Sequence, residues 1–358
     1  MTNPEARFRE AVAHQRAGEL DAAEAIYREL LAAHPTLLIA HHNLIATLRA
    51  RADWAGAEQA LRRARAVAPH DPDIAYHLGL SLLASGNYAE GWPLYEARRS
   101  VDRDRVHAPK LPFREWRGEP VTSLLVWPEQ GFGDQIMFAR YVPLLKARGI
   151  EVTLVCRPGL ETLLAPLGVT VIPAEGQAKL PACDAWVLMG SLPLRFGTTL
   201  DTIPDGLWLK GRAGRAGRDG EGGGQGTDGQ GIGLVTRGRP THPNDANRSL
   251  PKPIEADLFN LPGAVSLHPE DTGAKDFAET AEIVRRLERV ITVDTAVAHL
   301  AGALGKPVWI LLPAAGTDWR WLRGRSDSPW YPSATLFRQP TPGDWWAVVD
   351  EVRGRLGA

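Results

Sequence analysis

The chain contains little cysteine and has almost no net charge. Only two of its 358 residues are cysteines, Cys156 and Cys183, and their spacing fits neither a metal site nor a disulfide framework. This usage is typical of proteins from a reducing compartment. The formal net charge of −1 argues against a general electrostatic attraction to nucleic acid or to an anionic membrane.

Long uninterrupted apolar runs are also missing. The most apolar stretch, residues 293–313, is broken by Asp294, Lys306 and Pro307, and is too polar to span a bilayer. The first residues include Glu5 and Glu10 and lack the apolar segment of a signal peptide. The sequence therefore predicts a cytoplasmic protein without a membrane span.

The first hundred residues repeat. Pro35 and Pro69 lie 34 residues apart, and each closes a helical pattern. Three further positions share one register: Tyr27, Leu61 and Tyr95. This period is typical of tetratricopeptide repeats, in which helical hairpins stack because one alone cannot bury its apolar face. We predict repeats at 4–37, 38–71 and 72–105, in a domain spanning 1–105. Their concave groove would hold a protein partner or acceptor; the alternative is a structural spacer.

From residue 121, apolar strands alternate with helices, which predicts parallel sheets with crossover helices. We predict a Rossmann-like domain at 106–210 and a second one at 232–358. Between them, residues 211–231 contain ten glycines and are predicted to be a linker. Two such domains create a cleft between the carboxyl edges of their sheets, where open α/β folds bind ligands.

A glycine-rich turn follows the first predicted strand of this region. Gly131 and Gly133 permit a tight turn and a close backbone approach to a ligand, so both are candidate binding residues. Asp134 opens the next helix. Asp134 has two interpretations. It either caps the helix or is a general base that takes a proton from an attacking hydroxyl.

A second strand-to-helix turn contains Asp294, Thr295 and Ala296. The positive end of the following helix favours a phosphate or diphosphate, to which the Thr295 hydroxyl can donate. Asp294 would repel phosphate, so we expect it to orient the loop or bind a sugar hydroxyl. His299, one turn further on, either reaches the ligand or is buried against the sheet. An ordinary helix cap is the alternative for the whole turn.

The segments "VDTAVAHLAGALGKPVWILLP" and "GFGDQIMFARYVPLL" resemble the ADP-heptose lipopolysaccharide heptosyltransferase superfamily. "NYAEGWPLYEAR", "HPNDANRSLP" and "PGDW" resemble the bacterial members that fuse tetratricopeptide repeats to such a domain. The arrangement is also similar to that of O-linked N-acetylglucosamine transferases. The resemblance implies the two-domain glycosyltransferase-B fold, in which the domain at 232–358 binds the nucleotide sugar. It also implies that Asp134 is the general base and that the donor phosphates contact a set of loop residues: Thr236, Arg248, Ser249, Asp294, Thr295 and His299.

Aromatic residues cluster near the carboxyl terminus, among them Trp319, Trp321, Trp330 and Tyr331, next to Asp318. Such rings stack on sugars or bases, and Asp318 is a candidate donor contact. The alternative is a core loop that packs the last helix onto the sheet.

Together these features predict a metal-independent glycosyltransferase, and the resemblance implies that it inverts the anomeric configuration. It would move a sugar from a nucleotide-sugar donor, without a cofactor, to a hydroxyl of a protein such as flagellin. The alternative from another class is a non-catalytic adaptor with a vestigial nucleotide-sugar unit. A nucleotide-sugar epimerase is a third possibility, but it would not need a protein-binding array.

Overall fold

The computed structural model describes residues 3–101, 106, 108–129, 131–175, 178–210, 229–242 and 244–357. The chain divides into two compact units. The helical unit consists of Met1–Val106 together with Asp318–Arg323, and the α/β unit consists of His107–Thr317 and Gly324–Ala358. Most of the predicted linker, residues 211–228, lies outside the described residues.

Six helices build the helical unit: α1 (Pro4–Ala17), α2 (Leu20–Ala33), α3 (Leu38–Ala50), α4 (Trp54–Val67), α5 (Pro72–Ser85) and α6 (Tyr88–Tyr95). The odd-numbered helices begin at residues 4, 38 and 72, and the even-numbered ones at 20, 54 and 88, so both series advance by 34 residues. Each odd-numbered helix packs on the even-numbered helix that follows it. The sequence period is therefore a period of helical pairs.

The same local chemistry begins and ends several of these helices. The carboxylates of Asp53 and Asp71 accept hydrogen bonds from the first turns of α4 and α5, as N-caps do. Gly18 and Gly86 close α1 and α5 in the left-handed conformation that glycine adopts without a steric cost. Alanines and leucines fill the shared core. The alanines let the helices approach closely, and the leucines fill the space between them.

A short segment from the far end of the sequence, Asp318–Arg323, belongs to the helical unit. Its Trp319 ring makes edge contacts with three aromatic residues of the third helical pair: Tyr88, Trp92 and Tyr95. The Arg323 N–H donates to the Ala84 carbonyl at 3.0 Å. Trp319 and Trp321 are buried. The prediction that the aromatic cluster is part of a hydrophobic core is confirmed for these two tryptophans. They pack in the helical unit, however, and not between the last helix and a sheet.

The first sheet of the α/β unit has five parallel strands in the order β1-β5-β2-β3-β4. They are β1 (Arg114–Glu115), β2 (Ser123–Trp127), β3 (Glu151–Cys156), β4 (Thr170–Pro173) and β5 (Ala185–Leu188). Its helices are α7 (Phe132–Phe138), α8 (Val142–Ala147), α9 (Glu161–Leu164) and α10 (Leu192–Arg195). The helix that Asp134 opens is divided into α7, a 3-10 turn at Ala139–Tyr141 and α8. Pro143, near the start of α8, cannot donate a helical hydrogen bond to the preceding turn.

The second sheet is also parallel, in the order β10-β9-β8-β6-β7. Its strands are β6 (Ile232–Val235), β7 (Ala264–Ser266), β8 (Arg289–Val293), β9 (Val308–Leu312) and β10 (Ala334–Arg338). Its helices are α11 (Asp245–Arg248), α12 (Lys252–Phe259), α13 (Pro269–Thr272), α14 (Phe277–Arg286), α15 (Ala296–Leu304) and α16 (Trp345–Leu356). The sequence did not predict the outer strands β1 and β10. A helical region followed by two parallel α/β sheets matches the predicted fold class.

Each sheet contains a point where the chain reverses its direction of travel across the strands. In the first sheet β2 lies between β3 and β5, and in the second β6 lies between β7 and β8. The loops that leave the two strands on either side of such a point diverge and open a crevice at the carboxyl edge. The crevices are therefore expected at the loops after β2 and β5 and after β6 and β8.

Candidate functional site

Three residues that are predicted to bind the nucleotide-sugar donor meet at the crevice of the second sheet. Asp294 and Thr295 directly follow β8, and Arg248 ends α11 in the loop after β6. The Arg248 Nη1 donates a 2.9 Å hydrogen bond to the main-chain carbonyl of Asp294, and its Nε donates to Asp245 at 3.3 Å. A guanidinium is thus fixed beside the amino-terminal end of α15. Sequence alone could not show this contact, because the two segments are 46 residues apart.

Thr295 occupies the N-cap position of α15, but its side chain makes no capping hydrogen bond. Its hydroxyl instead lies 3.1 Å from the Thr292 hydroxyl, which itself donates to the Val293 carbonyl at 2.7 Å. Because Thr292 uses its own proton there, Thr295 donates to Thr292. Ala296 is the first residue of the helix. The alternative of an ordinary side-chain cap therefore does not describe this turn.

Ser249 holds the Arg248 loop in shape. Its hydroxyl accepts a hydrogen bond from the Gly238 N–H at 2.9 Å. A Cβ on Gly238 would lie only 2.4 Å from the Arg248 Nη2, so the guanidinium packs directly against this glycine. Ser249 therefore supports the position of Arg248, and its predicted contact with donor phosphate stays a prediction.

Thr236, at the end of β6, lies in a buried polar network. It is 1% exposed, and its hydroxyl donates to Glu255 at 2.8 Å. Its N–H donates to the His268 Nε2 at 3.3 Å, which requires a neutral ring. Burial, followed by the charge of Arg237, lowers the pKa of His268, in agreement with that state. Sequence reasoning missed Glu255 and His268, and the Thr236 hydroxyl is already used within the protein.

The crevice of the first sheet is organised around Glu129 and Gln135. The Glu129 carboxylate accepts a 2.7 Å hydrogen bond from the Gly190 N–H, which joins the loops after β2 and β5. The buried Gln135 amide donates to the Glu129 carbonyl and accepts from the Arg157 N–H, both at 3.0 Å. These bonds fix the turn that carries Asp134. No sequence motif singled out either residue.

Asp134 lies in the first turn of α7, and Gly131 occupies the N-cap position of that helix. A Cβ on Gly131 would be 2.3 Å from the Asp134 Oδ2, so the carboxylate lies directly over this glycine. A side chain at position 131 would displace the carboxylate. Gly131 therefore makes room for Asp134, which is a role distinct from the predicted donor contact.

The two sheets' helices meet at Gly133 and His299. Helix α7 packs against α15, and a Cβ on Gly133 would lie 2.6 Å from the His299 Cδ2. His299 is 4% exposed, and its Nδ1 is 3.0 Å from the Tyr331 hydroxyl. The structure therefore favours the buried interpretation of His299. Through this contact the Asp134 turn and the Thr295 turn come to one place.

We expect Gly133→Ala to disturb this helix contact. The added methyl group would overlap a buried ring that Tyr331 holds in place, and overpacking of this kind costs about 1–3 kcal/mol. The measurement is the melting temperature of the purified protein. Gly354→Ala in α16 is the matched control: its Cβ would meet nothing within 4 Å, and alanine is the better helix former. Equal melting temperatures for the two variants would contradict the close approach.

Asp318 belongs to the helical unit. Its carboxylate accepts from the Arg320 N–H at 3.0 Å and pairs with the Arg320 guanidinium at 2.6 Å. These contacts begin the short 3-10 turn of Trp319–Trp321. They give Asp318 a local role, and its predicted contact with the donor stays a prediction.

Among the described residues, no group of three or more His, Cys, Asp or Glu side chains is placed to hold a metal ion. None of the helices described is both long and apolar enough to cross a bilayer.

Comparison with known proteins gives remote similarities. No protein-family model matches the chain. Protein FlbA of Caulobacter vibrioides is 26% identical over 395 aligned positions, which cover 94% of this chain and 64% of FlbA. The chain therefore spans less than two thirds of the length of that relative.

Two solved structures are similar over about two thirds of the chain. A family 9 glycosyl transferase from Veillonella parvula is 12% identical with a TM-score of 0.43, covering 68% of this chain and 91% of its own. The E. coli heptosyltransferase WaaC with ADP is 11% identical with a TM-score of 0.40, covering 65% and 99%. At this level of similarity, the assignment of function depends on the chemistry of the site.

Proposed function

We propose that the α/β unit is a glycosyltransferase of the glycosyltransferase-B type, which transfers a sugar from a nucleotide-diphosphate donor to a hydroxyl. The observation that carries the proposal is the hydrogen bond from Arg248 to the Asp294 carbonyl. This bond holds a cation next to the Thr295 hydroxyl and the amino-terminal end of α15. All three lie at the crevice expected after β6 and β8. Donor phosphates are the ligands that this combination suits.

The leaving group of such a reaction is a nucleoside diphosphate, which gains negative charge as the sugar bond breaks. A fixed guanidinium and a helix amino terminus can offset that charge without a metal ion. Arg248 is well suited because the backbone bond restricts its motion before the ligand arrives. Thr295 adds a hydroxyl at the same point, which rotates from Thr292 toward a phosphate oxygen when the ligand binds. Ala296 has no bulky side chain at the start of the helix.

The acceptor hydroxyl must lose a proton during the transfer. Asp134 is the proposed general base, because its turn contacts the Thr295 helix through Gly133 and His299. Attack assisted by one base, on the face opposite the leaving group, inverts the anomeric configuration. The helical pairs are proposed to be tetratricopeptide repeats that bind the protein acceptor, such as flagellin, in the cytoplasm.

Nucleotide binding to the Thr295 turn is the first test. We expect one nucleoside diphosphate or its sugar to raise the melting temperature of the wild type, since a ligand at 100 times its Kd stabilises a protein by about 2.7 kcal/mol. Thr295→Ala removes one charge-assisted hydrogen bond, which corresponds to a Kd about 10–100-fold weaker. A thermal-shift panel of nucleotides and nucleotide sugars makes the measurement.

Thr341→Ala is the matched control, because Thr341 is exposed and lies before α16. It should retain the full nucleotide shift. A shift that survives Thr295→Ala would place the donor elsewhere. No shift with any donor at millimolar concentration would contradict the proposal and favour the alternative, a repeat-based adaptor without catalytic activity.

A further inference from the structure

The helical unit contains two arginines, Arg49 on α3 and Arg323 in the inserted segment, that lack a carboxylate partner within the described part of the chain. The remaining contacts of Arg49 are long: its Nη1 and Nη2 lie 3.5 Å from the ring and the carbonyl of His77. The Arg323 Nη1 is 3.5 Å from the Ser81 hydroxyl. Hydrogen bonds of this length are weak, so both guanidinium groups keep much of their donor capacity.

The two guanidinium groups contact positions one turn apart on α5, His77 and Ser81, and both arginines are partly buried. Burial lowers the pKa of Arg49. Burial and then the charge of Arg49 lower the pKa of Arg323, which Glu58 raises to a lesser extent. An arginine remains charged under these conditions. The unit therefore holds two neighbouring positive charges whose mutual repulsion is little offset.

Several other arginines of the helical unit pair with carboxylates. Arg62 contacts Glu90 and Glu58, Arg51 contacts Glu24 and Asp21, and Arg98 contacts Glu96. Glu58, the acid that acts on Arg323, is thus already shared with Arg62 at 3.2 Å. Arg49 and Arg323 differ from these arginines because neither has a carboxylate within ion-pair distance in the described residues.

A ring and a hydroxyl shape the surroundings of Arg323. Its guanidinium stacks 4.6 Å from the centre of the Trp54 ring, which holds the plane of the fork in one orientation. Its N–H bond to the Ala84 carbonyl anchors the backbone. The N–H donors of a planar guanidinium match the spacing of the two oxygens of a carboxylate.

The face of α3 that carries Arg49 is exposed over the two turns that precede this arginine. Ile39, His42 and Ala46 precede Arg49 at intervals of three, four and three residues, which places all four on one side of the helix. The first three are exposed, and Ile39, at 52% exposure, is a large apolar side chain left in solvent. At 1.5 Å per residue, Ile39 and Arg49 are about 15 Å apart along the axis. An extended peptide spans that distance in about four or five residues.

We infer that the helical unit binds an extended peptide segment whose acidic side chain pairs with Arg49 and Arg323 and whose apolar side chain, four or five residues away, contacts Ile39. The 15 Å separation of the two features favours a peptide over a small free anion. The inference does not rest on the proposed transferase activity, because every residue in it belongs to the helical unit.

The test uses the full chain and a fluorescent ten-residue peptide with two glutamates and, five positions away, a leucine. Fluorescence polarisation compares it with the peptide in which both glutamates are glutamine. We expect the glutamate peptide to bind more tightly, and Arg49→Gln or Arg323→Gln to weaken it about 10–100-fold. Arg63→Gln, at an exposed arginine of α4, is the control and should bind normally. Ile39→Ser should weaken the glutamate peptide several-fold.

Stability and competition provide independent readouts. Removing one of two repelling charges should leave the melting temperature of Arg49→Gln and Arg323→Gln unchanged or higher. A clear drop in melting temperature would make these arginines structural and overturn the inference. Equal binding of the glutamate and glutamine peptides would overturn it as well. Displacement of the peptide by glutarate or inorganic phosphate at the peptide's own concentration would instead indicate a small-anion site, contrary to a peptide groove.

Discussion

Replacing Asp134 with asparagine is expected to lower the rate of sugar transfer about 10²–10⁴-fold, the usual contribution of a general base. Asparagine has the same shape but cannot take a proton from the acceptor hydroxyl. The carboxylate lies over Gly131, and asparagine fits the same space, so the fold and donor binding should be retained. The measurement is the release of nucleoside diphosphate from the donor that the thermal-shift panel identifies.

Glu129→Gln is the matched control for Asp134→Asn, because Glu129 is the other carboxylate of the same loop. Its Oε1 accepts a hydrogen bond from Gly190, and the glutamine carbonyl can accept that bond equally well. This variant should keep most of the wild-type rate. Full activity of Asp134→Asn together with loss of activity in Glu129→Gln would assign the base to Glu129 and contradict our proposal.

The largest effect on stability is expected for Arg140→Met. Arg140 is 2% exposed, and its guanidinium donates from Nε to the Met137 carbonyl at 2.8 Å and from Nη1 to the Trp330 carbonyl at 2.9 Å. It also lies within 5.0 Å of the centres of the Trp330 and Tyr331 rings. These contacts join the first sheet's helices to the loop before β10.

Methionine would fill much of the volume but leave these carbonyls without a donor. Buried groups that lose their partner cost about 1–3 kcal/mol each, so we expect a loss of about 2–4 kcal/mol. For a unit of this size the melting temperature should fall by about 5–15 °C. Thermal unfolding followed by circular dichroism makes the measurement.

Arg148→Met is the control for this variant. Arg148 is exposed and also stacks on a ring, at 4.1 Å from the centre of Phe196. An exposed cation–ring contact contributes about 0.5–1 kcal/mol. Arg140→Lys should not restore stability, because one ammonium cannot replace a planar fork that reaches two carbonyls. Similar melting temperatures for Arg140→Met and Arg148→Met would contradict the bridging role.

Local patterns in the sequence predicted much of the fold correctly. The 34-residue period placed the helical pairs, because burial of a helix face depends on the spacing of side chains along the same helix. Buried strands between helices identified the parallel sheets for the same reason. The outer strands β1 and β10 were missed. β1 has only two residues, and β10 follows a long aromatic loop whose pattern does not resemble a strand.

For the site residues too, the sequence predicted local features but not contacts between distant segments. The sequence identified the strand-to-helix turns of Asp134 and Thr295, since glycine, Asp and Thr at the end of an apolar strand have strong local preferences. It could not show that Arg248 contacts the Asp294 carbonyl or that the Thr236 hydroxyl is bonded to Glu255. Those contacts join separate segments, and their partners are set by how the strands are ordered in the sheet.

The sequence by itself determined the helical repeats, the alternation of strands and helices, and the turns that carry the candidate site. Only the tertiary structure decided that residues 318–323 pack in the helical unit, that Gly133 is needed beside His299, and that Arg49 and Arg323 come together. Periodicity and turn preferences act over a few residues, so they can be read along the chain. Contacts between segments depend on the shape and charge of surfaces that exist only after folding.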